Sequence, residues 1–115
     1  MREIKFRAWD KKQQKFVDDK QIKKNFNQYY KQPNSVIMQF TGLKDENGIE
    51  IYEGDILECY DSLTGSTFTG VVKFANGSFM VDSVSITHYR WVDYVREIIG
   101  NIHETPEILR SEADA

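Results

Sequence analysis

The stretch QFTGLKDENGIEIYEGDILECY, residues 39–60, contains the features that decide the fold. Residues 45–48 predict a turn, because Asn and Gly tolerate a positive φ at low steric cost. The short run 49–52 can pair back on the strand that precedes the turn. A sharp corner at 53–54 then leads into a further strand at 55–60. This succession of short strands and turns is typical of a small β protein.

A second segment, TGVVKFANGSFMVDS at 69–83, predicts a β-hairpin. Asn76 and Gly77 suit a two-residue type I′ turn, which would place Phe74 opposite Phe79. The apolar pattern agrees with that register, because cross-strand neighbours on one face should pack together. The residues that share this face are Val72, Phe74, Phe79 and Val81.

The other strands are predicted from alternation of apolar and polar residues. They are 2–9 with a short return at 16–17, 36–41 with Gly42 as its end, 85–92, and 97–103 after a turn near Tyr94. Thr105 followed by Pro106 resembles the start of a short helix. About seven short strands separated by turn signals indicate an all-β barrel or sandwich.

Residues 18–35 are the exception, because they show no sustained periodicity and are rich in Asn, Gln and Lys. We expect an irregular excursion with one helical turn at 22–26. Long loops of this kind often carry contacts or function. The segment combines basic and aromatic side chains, and its candidate contact residues for a nucleic acid or a protein partner are Lys23, Lys24, Phe26, Tyr29, Tyr30 and Lys31.

Size and composition indicate one soluble globular domain over residues 1–115. Hydrophobic residues make up 40% of the chain and charged residues 29%, and there is one cysteine. An apolar run long enough to span a bilayer and a signal-peptide pattern are both missing. We therefore expect a cytoplasmic protein that does not associate with membranes and that has no internal disulfide.

The net charge of −3 conceals a strong asymmetry. Residues 1–44 hold 11 Lys and Arg against 4 Asp and Glu, which gives +7, whereas 45–115 hold 4 against 14, which gives −10. We expect a basic N-terminal β region that includes the excursion 18–35, followed by an acidic small barrel and terminal helix at 45–110. Such asymmetry suggests that the basic end meets something acidic. A nucleic acid, or the acidic half of the same or a neighbouring subunit, would fit, and we favour the protein.

No residue set in the sequence predicts a catalytic, metal or cofactor site. His88 and His103 lack the spacing of a ligand set, and they are expected as polar residues at strand edges. Cys59 lies between acidic neighbours, which disfavour a thiolate, so we expect a structural thiol. Glu53 and Asp55 could serve acid–base chemistry, but at a strand corner carboxylates more often bind backbone N–H groups.

Three stretches together resemble the YopX family of phage and prophage proteins. They are MREIKFRAWDKKQQKF at the start, MQFTGLKDENGIEIYEGDIL at 38–57 and IIGNIHETPEIL at 98–109. The hairpin segment is similar too, whereas 18–35 carries no family signal. The resemblance implies a mainly β fold with an SH3-like barrel after the 54–55 corner. It implies no established activity, and it supplies no catalytic residues.

We therefore expect a mainly β protein with a small antiparallel SH3-like barrel in its C-terminal half, an N-terminal β-hairpin region and a short C-terminal helix. The function we favour is a phage- or prophage-encoded, non-enzymatic module that self-associates or binds a protein. Small β domains have open strand edges, and a second copy is a common cover for them. The alternative is a nucleic-acid binder that uses the basic and aromatic segment, and a carboxylate hydrolase ranks below both.

Overall fold

The computed structural model describes residues 3–31, 33–83 and 86–109. These residues form two antiparallel sheets and two short helices. The elements are β1 (Phe6–Asp10), β2 (Lys15–Val17), α1 (Asp19–Lys24), α2 (Phe26–Lys31), β3 (Ser35–Lys44), β4 (Glu50–Tyr52), β5 (Asp55–Tyr60), β6 (Thr67–Ala75), β7 (Ser78–Asp82), β8 (Thr87–His88) and β9 (Val95–Asn101). The mainly β class expected from the sequence is confirmed.

The first sheet has the order β2-β1-β3-β4. It takes β4 from beyond residue 44, so it draws on both the basic and the acidic halves of the chain. Both faces of its central strand β1 are covered, since Ala8 and Trp9 point to opposite sides and both are buried. Ala8 packs with Ile22 of α1, and Trp9 packs with Met38 of β3. Helix α1 therefore covers the face of β1 that carries Ala8, and the cluster around Trp9 covers the opposite face.

The second sheet has the order β8-β7-β6-β5-β9 and curls into a half-barrel, and Ile51 of β4 also enters its core. The hairpin of β6 and β7 has the predicted register, with Phe74 opposite Phe79. Asn76 and Gly77 have φ values of +53° and +82°, as a type I′ turn requires. The two phenylalanine rings meet edge to face with centroids 4.9 Å apart. The small antiparallel barrel predicted for the C-terminal half is therefore confirmed.

The segment after this hairpin differs from the expectation of a strand over 85–92. Of the described residues in this range, Thr87–His88 alone pair with β7, and a 3₁₀ turn follows at Trp91–Asp93. Trp91 is buried, and its Nε1 donates to the carbonyl oxygen of Phe79 at 3.1 Å. Burying the indole turns the chain inward and ends the alternation. Residues 84–85 lie outside the described part of the chain.

Two other expectations were wrong in detail. Residues 18–35 are mostly helical rather than irregular, as α1 and α2 occupy most of the segment. Strand β3 does not end at Gly42 but continues to Lys44, with a shift of its register against β4 between Phe40 and Lys44. Gly42 has a φ of +88°, which allows the strand to bulge and bend towards the second sheet.

The C-terminal end of the described chain closes on β9. Thr105 Oγ1 accepts the backbone N–H of Asn101, and a helical turn at 107–109 follows Pro106. This agrees with the predicted helix start, and residues 110–115 lie outside the described part. Among the described residues, no helix has the length and apolarity to cross a bilayer.

Candidate interaction surface

Helix α1 is a short helix held by its contacts with the first sheet. Asp18 caps its N-terminus by accepting the backbone N–H of Gln21 at 2.9 Å. Asp19 accepts the backbone N–H of Phe6 at 2.8 Å and pairs with Lys23 at 3.0 Å. Ile22 is fully buried against β1 and β2. A six-residue helix is marginal in isolation, so these contacts determine its place.

Helix α2 presents two aromatic rings to solvent and packs one against the fold. Tyr29 is half-buried beside the cluster that holds Ile22. Phe26 and Tyr30 are spaced i,i+4, with ring centroids 5.5 Å apart and an interplanar angle of 15°. Phe26 is 41% exposed and Tyr30 is 66% exposed. These two rings stack on each other and remain largely open to solvent.

Two lysines border this aromatic pair. Lys23 and Lys24 end α1, and both are exposed. An open recess joins them to Phe26, and Asn25 and Asn27 complete its lining. We call the surface formed by Lys23, Lys24, Phe26 and Tyr30 the helical face.

The structure thus brings together four of the six residues singled out in the sequence. Tyr29 is directed into the fold instead, and Lys31 lies at the last position of α2. The i,i+4 spacing of Phe26 and Tyr30 is the signal that pairs their rings, and it becomes useful once the segment is known to be helical. Tyr29 is i,i+3 from Phe26, so its burial follows from the tertiary contact with the Ile22 cluster and not from spacing.

The carboxylates of the 53–55 corner bind protein groups. Asp55 is 2% exposed; its Oδ1 accepts Arg7 Nη2 at 2.7 Å and Asn101 Nδ2 at 3.1 Å. Its Oδ2 accepts the backbone N–H of Tyr52, while Glu53 Oε1 accepts the backbone N–H of Gln39, both at 2.8 Å. These hydrogen bonds give the two acids structural roles.

The histidines pack against aromatic rings. His103 stacks on Trp9 with centroids 6.5 Å apart, and burial, followed by the nearby charges of Lys11 and Arg7, lowers its pKa. His88 stacks on Phe68 at 3.6 Å, and its Nε2 lies 3.3 Å from Ser83 Oγ.

The contact between Ser83 and His88 has the residue types of a nucleophile and a base, but its geometry differs from that of a catalytic triad. The Ser83 hydroxyl donates to the carbonyl oxygen of Ile86 at 2.8 Å. Asp82, the neighbouring acid, binds Lys73 and Thr87. The base of a catalytic triad is oriented by its acid, and here the acid is bound to other side chains.

The turn at 45–48 is organised by one buried carboxylate. Asp45 accepts the backbone N–H groups of Asn47, Ile49 and Ile98, the last across to β9. Burial alone would raise the pKa of Asp45, but these three N–H donors lower it overall. Within the described residues, no group of three His, Cys, Asp or Glu side chains could hold a metal ion.

Together the fold and the surface define a class: a small two-sheet β protein that carries an exposed aromatic and basic helical face. Residues 19–110 match the family described as YopX protein, so the chain belongs to the YopX family. The match runs through 18–35, which we expected to carry no family signal, and it leaves out the motif at 1–16. A search of the curated proteins finds no match.

Two crystal structures resemble this fold over nearly their whole length. Protein EF1440 from Enterococcus faecalis is 28% identical in sequence, with a TM-score of 0.64, over 95% of this chain and 99% of that one. Protein yopX from Bacillus subtilis is 19% identical, with a TM-score of 0.54 and the same coverage. The second likeness concerns the fold alone.

Proposed function

We propose that this protein is a non-enzymatic module that self-associates, or binds another protein, through the helical face. The observation that carries the proposal is the stacked pair Phe26 and Tyr30, presented to solvent by a helix whose buried contacts come from other residues. Large aromatic side chains dominate the energetics of protein interfaces because they bury much area with few rotatable bonds.

The charge of the molecule favours a protein over a nucleic acid as the partner. Two lysines on the helical face can attract an acidic surface, but Lys23 already pairs with Asp19. The whole chain is acidic, with a pI near 5.4, whereas nucleic-acid-binding domains usually have a pI above 9. Lysines beside exposed rings also suit stacked bases, so nucleic-acid binding is the second candidate.

The acidic groups of the chain support a binding role rather than hydrolysis. Asp45, Glu53 and Asp55 all accept backbone N–H groups, and Asp55 also neutralises Arg7. A general acid or base must exchange its proton with substrate, and these bonds would have to break first. The resemblance to phage and prophage proteins supports the proposal that the gene is carried by a phage or prophage and that the protein acts in the bacterial cytoplasm.

The double variant Phe26→Ala/Tyr30→Ala tests the proposal. Light scattering over a concentration series at low salt should show self-association of the wild type and its loss in the variant. Tyr89→Ala is the matched control, because Tyr89 is 57% exposed and directly follows β8 of the second sheet, outside the helical face. A wild type that stays monomeric throughout, or a double variant that associates as the wild type does, would contradict self-association through this face.

A parallel titration with mixed-sequence DNA and RNA tests the second candidate function, nucleic-acid binding. Nucleic-acid binding should fall steeply as salt rises, because bound lysines release counterions. If the wild type binds nucleic acid and Phe26→Ala/Tyr30→Ala does not, the partner of the helical face is a nucleic acid and not a protein. If no binding occurs at low salt, the second candidate is removed.

A further inference from the structure

The outer face of β5 and β9 has a composition complementary to that of the helical face. Glu58 lies opposite Glu97, and Tyr60 lies opposite Val95 in the antiparallel register. All four side chains are exposed, with Tyr60 and Val95 each 43% open to solvent. We call this surface, together with the adjoining Glu46, the sheet face.

The acidic pair on the sheet face is unfavourable in the free molecule. Like charges directly opposite each other on neighbouring strands repel and destabilise the sheet. Partial loss of hydration, a hydrogen bond to Glu97 and the charges of nearby acids raise the pKa of Glu46. Within residues 3–31, 33–83 and 86–109, none of the three carboxylates forms an ion pair. An external cation would relieve this repulsion.

The two faces match in charge and in apolar content. The helical face offers Lys23 and Lys24 beside Phe26 and Tyr30, and the sheet face offers carboxylates beside Tyr60 and Val95. We infer that the helical face of one copy docks on the sheet face of a second copy, with lysines against carboxylates and rings against rings. This inference rests on the proposed function, and it names the partner surface.

The position of the two faces makes the contact heterologous. Helices α1 and α2 pack on β1 and β3 of the first sheet, whereas the sheet face belongs to the second sheet. A bound copy therefore keeps one free helical face and one free sheet face. Heterologous contacts of this kind close into rings or grow into open chains. The ion pairs at the contact should weaken as salt rises.

Mixing two variants tests the inference. Phe26→Ala/Tyr30→Ala disables the helical face and leaves the sheet face intact. Glu58→Lys/Glu97→Lys reverses the sheet face, leaves the helical face intact, and keeps one like-charged pair in place of another. Each variant alone should be monomeric, and an equimolar mixture should form a 1:1 dimer that grows no further. Analytical ultracentrifugation resolves these species, and circular dichroism of each variant verifies its fold.

Glu104→Lys/Glu107→Lys serves as the control with the same change in charge, because both residues are exposed and lie outside the sheet face. It should associate as the wild type does. If the reversed variant fails to fold, the milder variant Glu58→Gln/Glu97→Gln takes its place in the experiment. It should weaken association at least tenfold.

The outcomes separate the inference from the function beneath it. If Glu58→Lys/Glu97→Lys alone associates as the wild type does, the sheet face is not the surface that the helical face binds. The proposed role of the helical face in association would still stand. If the wild type associates but the equimolar mixture of the two variants stays monomeric, the sheet face is likewise excluded as the partner surface. If Phe26→Ala/Tyr30→Ala alone associates as the wild type does, the helical face itself is excluded, and the proposed function fails with the inference.

Discussion

The guanidinium of Arg7 on β1 donates from Nη2 to Oδ1 of Asp55 on β5 at 2.7 Å, and this ion pair joins the two sheets. The Arg7 guanidinium carbon lies 4.2 Å from the ring centroid of Phe16 and 4.4 Å from that of Tyr52. Asp55 is almost fully buried, while the Arg7 side chain keeps 21% of its exposure. One charged contact, flanked by two rings, thus links the first sheet to the barrel.

Asp55→Ala should lower the free energy of unfolding by up to about 3–5 kcal/mol, since it leaves the half-buried Arg7 guanidinium without its ion-pair partner. The loss also frees the backbone N–H of Tyr52 and the amide of Asn101. Urea unfolding at pH 7 measures the change. Asp93→Ala removes an exposed ion pair with Arg90 and should cost less than about 1 kcal/mol. Equal losses in the two variants would refute the role of Asp55 as a stabilising inter-sheet contact.

Asp45→Asn should lower the free energy of unfolding by about 1–3 kcal/mol. The amide oxygen can still accept the N–H groups of Asn47 and Ile49, but the amide nitrogen would face the N–H of Ile98.

The same variant should change the pH dependence of stability. The folded pKa of Asp45 lies below its ordinary value, so its contribution is complete above the unfolded pKa and disappears as pH falls towards the folded pKa. The wild-type advantage over Asp45→Asn should therefore shrink as the pH falls below the unfolded pKa of about 3.8. Urea midpoints across this range test the expectation, and a constant difference between the two proteins would contradict it.

The parts of the fold that could be predicted are those whose determinants lie within a few residues. The hairpin register follows from Asn76 and Gly77 together with the apolar residues beside them. The 3₁₀ turn at Trp91–Asp93 could not be predicted, because it depends on a hydrogen bond from Trp91 to Phe79, twelve residues away. Helix α1 was predicted only in part, as one helical turn at 22–26, since six residues have little intrinsic helicity and Ile22 must find its buried site first.

The two faces differ in the same way. Lys23, Lys24, Phe26 and Tyr30 are close in sequence, so composition alone brought them out as contact residues. The sheet face depends on the pairing of Glu58 with Glu97, 39 positions later in the chain. No local pattern determines that register, and the carboxylates could be read only as scattered acidic residues.

Cys59 should be inert to thiol reagents in the folded protein. It is fully buried, and burial raises its pKa to about 12, so the reactive thiolate is scarce at neutral pH. Labelling with a chromogenic disulfide at pH 8 should be complete in urea and negligible over the same time without it. Because the folded pKa exceeds the unfolded one, the free energy of unfolding should also decrease as pH rises above about 9. Rapid labelling of the folded protein would contradict the buried position.

Ile22→Ala should lower the free energy of unfolding by about 2–5 kcal/mol, because it leaves a cavity among Ala8, Val17 and Ile37. The loss should fall mainly on α1 and α2, since the half-barrel has a separate core around Val72. Hydrogen exchange should show faster exchange in residues 19–31 and little change in β5 and β6. Lys20→Ala, at an exposed position of α1, is the control and should leave both regions as they are.

If protection were lost equally throughout both sheets, the helices would be part of a single cooperative unit with the barrel. If the helical face is the binding surface, Ile22→Ala should also weaken association, because Phe26 and Tyr30 are positioned by the helices that Ile22 anchors.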